Sequence, residues 1–330
     1  MKSTRLITTG CLLVLFTAAS LVPSSFAYAP NSSSNPVTVL AKNQNSHEIQ
    51  LNGSYVYWNN NETQIRRVSE TGGTVQTIFS AAEISSFAIS GNYLYWGSQD
   101  SLDKTDLSTL KTTVLCTQNT SEYCFFPYSI LVTGNYVFFA SLLGAIIRIN
   151  TNGLGLRVIS PSNLHVCVSG MTLSSGYLYW NNCSGQVGKV SISGKNAHYI
   201  SPNYCAKECT SVFYFGIRSI TVANSSVYWT YNVYYQNNSY FQLVNSVSTT
   251  GKHFTTLFKG KGSSGFLSTI AYYNGSVIFP YESSSGGKIY SVPASGGKAT
   301  VIAKTFAIDS EVSGNYLYFS TGSEIAKVEV

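Results

Sequence analysis

The stretch Gly91-Asn92-Tyr93-Leu94-Tyr95-Trp96 decides the fold, because its aromatic tetrapeptide recurs along the chain. Copies occupy residues 55–58, 93–96, 136–139, 177–180, 226–229, 276–279 and 316–319. Successive copies begin 38 to 50 residues apart, and a period of about 40–45 residues is typical of a four-stranded propeller blade. The sequence therefore predicts an all-β, seven-bladed β-propeller of four-stranded antiparallel blades.

Each copy lies in the same local frame. A short apolar strand and a tight turn such as Gly91-Asn92 precede it, and this turn supplies the positive φ angles that a two-residue hairpin needs. A third strand (such as residues 145–149) and a fourth (such as residues 74–78) follow it. The aromatic strand is apolar at consecutive positions, so both of its faces should be buried between neighbouring blades. We therefore interpret the aromatic stripe as core packing and not as a ligand platform.

The ends of the chain indicate how the ring closes. The last repeat has strands near residues 316–319 and 325–330 and then stops, one strand short. Residues 36–41 precede the first repeat and read as the missing strand, which would remove an exposed edge from the final blade. The predicted propeller is thus a single domain over residues 36–330, with residues 30–35 as a flexible lead.

The N-terminus has the pattern of an export signal. Lys2 and Arg5 precede an apolar stretch at residues 11–22, and Ala27-Tyr28-Ala29 offers small residues for cleavage after Ala29. Residues 1–29 are therefore predicted to be a signal peptide of a secreted or extracytoplasmic protein, with an uncleaved anchor as the alternative. Cleavage lowers the net charge from +6 to about +4, which argues against nucleic-acid binding. No membrane span is expected in the mature chain.

Six cysteines remain after cleavage, and an even number in an exported protein predicts disulfides. Proximity in the deduced fold favours the pairs Cys116–Cys124, Cys167–Cys183 and Cys205–Cys209 among about fifteen possible connectivities. As an alternative to their disulfide, Cys205 and Cys209 could form half of a metal site.

The repeat resembles the YWTD-type propeller domains of low-density lipoprotein receptors, and more closely exported bacterial proteins described as having such a propeller. The resemblance rests on Gly-Asn-Tyr-Leu-Tyr-Trp at residues 91–96, on Lys288-Ile289-Tyr290-Ser291-Val292, and on the Gly296-Gly297 turn. The Thr-Asp half of YWTD is absent, since Asn59-Asn60 follows Trp58. Because YWTD domains typically have six blades, the resemblance makes six blades the alternative number here.

Long insertions fall on one end of the predicted ring, and variable loops on a rigid scaffold commonly carry function. They lie at residues 116–129, 201–218 and 231–241 and are rich in aromatic residues. The candidate binding residues are Tyr123, Phe125, Tyr128, Tyr204, Phe213, Tyr214, Arg218, Tyr231 and Tyr235. These rings either form a recognition surface or pack the loops onto the propeller.

The chain carries no nucleophile elbow, zinc-protease, P-loop or EF-hand motif. No catalytic residue, metal site or cofactor is therefore assigned. We favour an exported, monomeric, non-enzymatic protein that recognises a protein or glycan through the insertion-bearing end. One alternative is a lyase or hydrolase, which predicts His, Glu or Arg side chains converging at the channel mouth. The other alternative is a structural envelope protein.

Overall fold

The computed structural model describes residues 34–160, 168–182, 184–203, 209–210, 219–235, 240–261, 269–283 and 286–330. In this part of the chain the strands form seven small antiparallel sheets, each built around four strands. The helical content of these residues is one 3-10 turn, Glu122–Cys124. The prediction of an all-β, seven-bladed propeller is confirmed, and the alternative of six blades is wrong.

Each blade is antiparallel, and in blades 1–4 and 6 the four strands follow one another across the sheet in sequence order. The first strand is β1 (Val37–Lys42), and blade 1 follows with β2 (Ser46–Asn52), β3 (Tyr55–Asn60), β4 (Gln64–Ser69) and β5 (Gln76–Ser80). Blade 2 consists of β6 (Ser86–Ser90), β7 (Tyr93–Gly97), β8 (Ser101–Asp106) and β9 (Thr112–Thr117). Blade 3 consists of β10 (Tyr128–Thr133), β11 (Tyr136–Ser141), β12 (Ala145–Asn150) and β13 (Arg157–Val158).

The remaining blades keep the same order, with one added strand in blade 5. Blade 4 consists of β14 (Val168–Ser174), β15 (Tyr177–Asn182), β16 (Val187–Ser191) and β17 (His198–Tyr199). Blade 5 consists of β18 (Cys209–Thr210), β19 (Ile220–Ala223), β20 (Ser226–Tyr235), β21 (Tyr240–Ser248) and β22 (Thr255–Lys261). Blade 6 consists of β23 (Ala271–Tyr273), β24 (Ser276–Ser283), β25 (Gly286–Pro293) and β26 (Thr300–Ala303). Blade 7 consists of β27 (Asp309–Ser313), β28 (Tyr316–Ser320) and β29 (Glu324–Glu329).

This meander separates the connections into two groups. Turns between first and second strands, and between third and fourth strands, lie at one end of the ring, which we call the turn face. Connections between second and third strands, and between blades, lie at the other end, which we call the loop face. The described residues include every turn of the turn face.

The N-terminal strand closes the ring, as the sequence predicts. β1 pairs with β29, from Val37 opposite Val328 to Lys42 opposite Glu324, and becomes the fourth strand of blade 7. Leu40 is 7% exposed in the cluster between blades 7 and 1. The closing strand therefore covers the edge of β29 and adds apolar packing to the junction.

The aromatic strands form most of the core between blades. Trp58, Trp180 and Trp229 are fully buried, and the second aromatic ring of the motif is nearly so. The first tyrosine differs: Tyr93 is 38% exposed, because it lies directly after the turn at the turn face. Burial on both faces therefore holds for the later positions of the motif and does not extend to its first residue.

A basic side chain on the third strand covers this first tyrosine in five blades. The pairs, measured from the cation to the ring centroid, are Arg67–Tyr55 (4.4 Å), Lys104–Tyr93 (3.9 Å), Arg148–Tyr136 (4.5 Å), Lys189–Tyr177 (4.0 Å) and Lys327–Tyr316 (4.6 Å). In blades 5 and 6 serines replace both members, as in the case of Ser226 and Ser246. Tyrosine and cation thus occur together or not at all, as expected if cation–π attraction stabilises the pair.

These cations also connect neighbouring blades. Lys189 Nζ donates to Thr249 O at 3.1 Å, and Lys327 Nζ donates to Glu70 O at 2.7 Å. Both acceptors lie in the third-to-fourth turn of the next blade. Burial lowers the pKa of Lys189, because the ammonium group loses part of its hydration when it packs between the blades.

Candidate functional site

The loop face carries an extended hairpin in blade 5. Residues 231–241 are interpreted from the sequence as a loop, but residues 231–235 and 240–241 instead continue the strands β20 and β21, with Val233 opposite Phe241 and Tyr234 opposite Tyr240. The tyrosines, Val233 and Phe241 have high β-propensity, which favours this continuation. β18 adds to the hairpin edge, where Cys209 pairs with Tyr235. The interpretation as a loop is therefore wrong, and the insertion is a paired projection.

Blade 6 carries a second long hairpin that the sequence did not indicate. β24 and β25 pair from Ser276 opposite Pro293 to Ser283 opposite Gly286. A Gly-Gly pair is typical of a turn, yet Gly286 and Gly287 lie inside β25. Pro280 in β24 lies beyond the β23–β24 ladder, which runs from Tyr273 opposite Ser276 to Ala271 opposite Ile278, and proline is tolerated where a strand is not paired through its N–H.

The connection from blade 2 to blade 3 is held by a disulfide. Cys116 and Cys124 are bonded, with their Cα atoms 6.1 Å apart, as the sequence predicts for this pair. Both residues are buried, and Cys124 ends the 3-10 turn, whose N-cap Ser121 Oγ accepts from Tyr123 N at 3.4 Å. The connection is therefore fixed to the propeller at both of its ends.

Replacing Cys116 and Cys124 together by alanine should lower the free energy of unfolding by about 2–3 kcal/mol, because a short loop is no longer closed in the unfolded chain. Urea unfolding followed by tryptophan fluorescence measures the loss. The wild-type protein with dithiothreitol should show a shift of the midpoint at least as large, since the reductant also opens the other predicted disulfides. An unchanged midpoint in both samples would contradict a stabilising role for this disulfide.

Three partly exposed aromatic residues surround the disulfide. Tyr123, Phe125 and Phe126 are each half-buried, and the neighbouring Leu143 is 41% exposed. Leu142 N donates to Phe125 O at 3.3 Å, which places the β11–β12 turn against this segment. Phe126 has a φ of 49°, an unfavourable left-handed conformation for a bulky residue. We call Tyr123, Phe125, Phe126 and Leu143 the blade-3 patch.

Two of the candidate binding residues are packed into the propeller. Tyr231 is 6% exposed, and its ring lies so close to Gly185 that a Cβ there would meet it at 2.8 Å. The Tyr128 hydroxyl donates to Val168 O at 3.2 Å, and burial raises the pKa of Tyr128. For these two rings the structure agrees with the alternative interpretation, in which aromatic residues pack the loops onto the propeller.

Several sequence-based candidates lie outside the described residues. They are Tyr204, Phe213, Tyr214, Arg218, Cys167, Cys183 and Cys205. Tyr235 and Cys209 are described only as paired backbone in β20 and β18. The roles assigned to these residues, including the second and third disulfides, remain predictions.

A channel of about 430 Å³ follows the axis, lined by the first strands of all seven blades. Carboxylate and amide oxygens from two of these strands accept backbone N–H groups of the next blade. The pairs are Glu48 Oε2 with Phe87 N (3.1 Å), Gln50 Oε1 with Ile89 N (2.7 Å), Asp309 Oδ2 with Ile49 N (2.9 Å) and Glu311 Oε2 with Leu51 N (2.8 Å). These side chains satisfy strand edges that would otherwise face the channel.

The described lining of the channel includes Glu48 and Glu311 but no His, Lys or Arg. A converging set of acid and base groups, which the enzymatic alternative predicts, is thus not found among these residues. In the described part of the chain, no three His, Cys, Asp or Glu side chains group as metal ligands. Across the same residues, no helix has the length and apolarity needed to cross a membrane.

Comparison with known proteins gives the fold and no family. No protein-family model matches the chain, and no curated protein sequence matches it. The extracellular domain of a hybrid two-component system from B. thetaiotaomicron aligns with a TM-score of 0.64 and 10% identity, over 89% of this chain and 40% of that one. BamB from Moraxella catarrhalis aligns with a TM-score of 0.55 and 14% identity, over 84% of this chain and 82% of that one.

Two further structures extend the comparison. A chain of a nidogen/laminin complex aligns with a TM-score of 0.52 and 14% identity, over 77% of this chain and 96% of that one. The computationally designed protein Ika8 aligns with a TM-score of 0.58 and 11% identity, over 86% of this chain and 83% of that one. At such identities the likeness concerns the fold alone, so the chain is similar to these proteins in architecture.

Proposed function

We propose that this chain is an exported, non-enzymatic recognition protein that binds a protein or glycan through its loop face. The observation that carries the proposal is the blade-5 hairpin, whose strands β20 and β21 pair as far as Tyr234 opposite Tyr240. Most second strands in the other blades have five or six residues, whereas β20 has ten. A paired projection presents side chains at low conformational cost, which favours binding.

The blade-3 patch supplies a second element of the same face. Its aromatic rings are partly exposed beside a disulfide, and the Phe126 backbone is held in a costly conformation. Such strain is found most often at functional sites. Aromatic residues on a braced loop provide large contact areas with little loss of side-chain freedom. A protein surface or a sugar ring fits this chemistry.

The export signal predicted at residues 1–29 and the disulfide both support an extracytoplasmic location. Kinship with YWTD-type propellers is part of the same proposal and rests on the repeat sequence. The solved structures of an extracellular domain and of a nidogen/laminin complex have similar folds. An exported recognition role accords with those neighbours, while the identity of the ligand is left to experiment.

The test uses the secreted protein on arrays of glycans and of purified extracellular proteins. Changing Leu143→Asn or Phe126→Ser should weaken binding to the recognised target at least tenfold, because the blade-3 patch loses apolar contact area. Tyr235→Ala tests the blade-5 hairpin in the same way. Leu154→Asn, on the turn face, is the matched control and should leave binding unchanged. Absence of any target, or equal binding by all variants, would contradict the proposal.

A further inference from the structure

Exposed cations collect on the turn face, one from each of five consecutive blades. They are Lys111 in blade 2, Arg157 in blade 3, Lys195 in blade 4, Lys252 in blade 5 and Lys298 in blade 6. The five cations above the tyrosines reach the same end of the ring. The side-chain carboxylates of this face are Glu70, Asp106 and Glu329. Positive charge therefore predominates there.

The loop face lacks this excess of positive charge among its described residues. Its described carboxylates include Glu62, Glu83, Asp100, Glu122 and Glu324, and they offset cations such as Lys42 and Lys304. The small net charge of the whole chain thus hides a separation between the two ends of the ring. A face of one sign attracts an extended surface of the opposite sign.

Two leucines project from the same basic face. Leu154 is 66% exposed and Leu110 is 59% exposed, the highest values among the large apolar residues described. Both lie in third-to-fourth turns, in the adjacent blades 3 and 2. Moving such exposed apolar side chains out of water is favourable, so the two leucines would stabilise a complex that buries them. No segment of the described chain covers them.

Leu110 is held in a conformation that does not suit it. Its φ is 57°, in the left-handed region, which Gly or Asn adopts more readily than leucine. The equivalent turn of blade 4 has Asn196 with a φ of 59°. A largely exposed leucine in a conformation that costs stability is more useful in binding than in folding.

The chain joins the propeller at this face. β1 begins at Val37, opposite Val328 near the turn-face end of β29. The first described residues therefore lie at the turn-face end of blade 7.

We propose that the turn face of blades 2–6 docks onto an anionic phospholipid bilayer, with Leu110 and Leu154 inserted among the headgroups. Lysines and arginines attract anionic lipid, and apolar tips add insertion, which is the combination that peripheral membrane proteins use. The half-exposed Tyr93, Tyr177 and Tyr316 suit the interface, where tyrosine rings are enriched. An anionic polysaccharide would use the cations but gives the leucines no role.

Sedimentation with vesicles tests this docking. The secreted protein should bind vesicles of phosphatidylcholine with 30% phosphatidylglycerol, bind pure phosphatidylcholine vesicles weakly, and dissociate as salt rises. Changing Lys195→Gln together with Lys252→Gln should weaken binding about thirtyfold, near fivefold for each cation. Leu110→Asn should weaken binding about tenfold without lowering thermal stability, because asparagine accepts the left-handed conformation.

The matched controls lie on the loop face. Leu143→Asn removes an exposed leucine, and Lys42→Gln with Lys304→Gln removes two exposed cations; both should sediment like wild type. Equal effects of turn-face and loop-face changes, or no dependence on phosphatidylglycerol, would overturn the proposal. So would binding to alginate beads through the same cations without binding to vesicles. Leu143→Asn should weaken binding on the arrays and leave vesicle binding unchanged, whereas Leu154→Asn should do the reverse. The two proposals can therefore fail independently.

Discussion

A secreted chain that begins at residue 43 is expected to lose cooperative unfolding, because blade 7 then lacks its fourth strand. The deletion removes β1 and with it the ladder to β29 and the buried side chains of Leu40 and Ala41. Loss of this packing and of several hydrogen bonds should cost about 5 kcal/mol or more, which is comparable to the whole stability of many domains. Thermal unfolding followed by tryptophan fluorescence measures the effect.

A chain that begins at residue 34 is the control, since it keeps β1 and should unfold like the mature protein. A synthetic peptide of residues 34–44, added to the shorter chain, should restore a cooperative transition by pairing with the free edge of β29. If the shorter chain unfolds at the same temperature as the control, β1 does not close the ring in solution.

The second large effect is expected from Gly188→Ala in β16. Gly188 lies opposite Trp180, and a Cβ at this position would overlap with Cζ2 of the indole. Trp180 is fully buried between blades 3 and 4, so neither the ring nor the strand can move without opening the core. The substitution should lower the free energy of unfolding by about 3 kcal/mol or more. Urea unfolding of the purified variant measures it.

Trp180→Phe provides the complementary change, because it removes the part of the indole that lies over Gly188. The single variant should itself be destabilised by lost packing. The double variant should be more stable than the sum of the two single effects predicts, since the clash is relieved. If the losses in the free energy of unfolding are strictly additive, the clash between Trp180 and a Cβ at residue 188 is not what destabilises Gly188→Ala.

The blades could be predicted from the repeat because the apolar pattern of each aromatic strand indicates that the strand is buried. The order of strands, the seven blades and the closing role of β1 all follow from aligning copies of one tetrapeptide, and the structure has them. The pairing of Cys116 with Cys124 was also accessible, because the two residues flank one insertion. These features could be predicted because the interactions that determine them join residues within one repeat or one insertion, or repeats that share one motif.

The turn face was not predictable in this way. Lys195 and Lys252 are 57 residues apart in sequence, and a search for a run of basic residues passes over both. They share a face only because every blade returns its third-to-fourth turn to the same end of the ring. The third-strand cations escaped notice for the same reason, since the pairing of Arg67 with Tyr57 shows only when strands are aligned.

The long hairpins were missed because turn-forming residues were interpreted too literally. Gly286-Gly287 reads as a turn, yet both residues pair with β24. Pro280 argues against a strand unless the neighbouring ladder is known to have ended. In blade 5 the residues from Tyr231 onward have high β-propensity, but they were interpreted as a loop because a strand through Tyr235 is longer than the second strands of the other blades.

The length of β20 also sets how closely a partner can approach. A strand of six residues spans about 20 Å, whereas the ten residues of β20 span about 33 Å. The blade-5 hairpin therefore rises on the order of 13 Å above the level reached by the second strands of blades 1–4. A flat partner meets this projection at one side before it touches the blade-3 patch. A partner with a groove or a concave face can receive the hairpin and reach the patch at the same time.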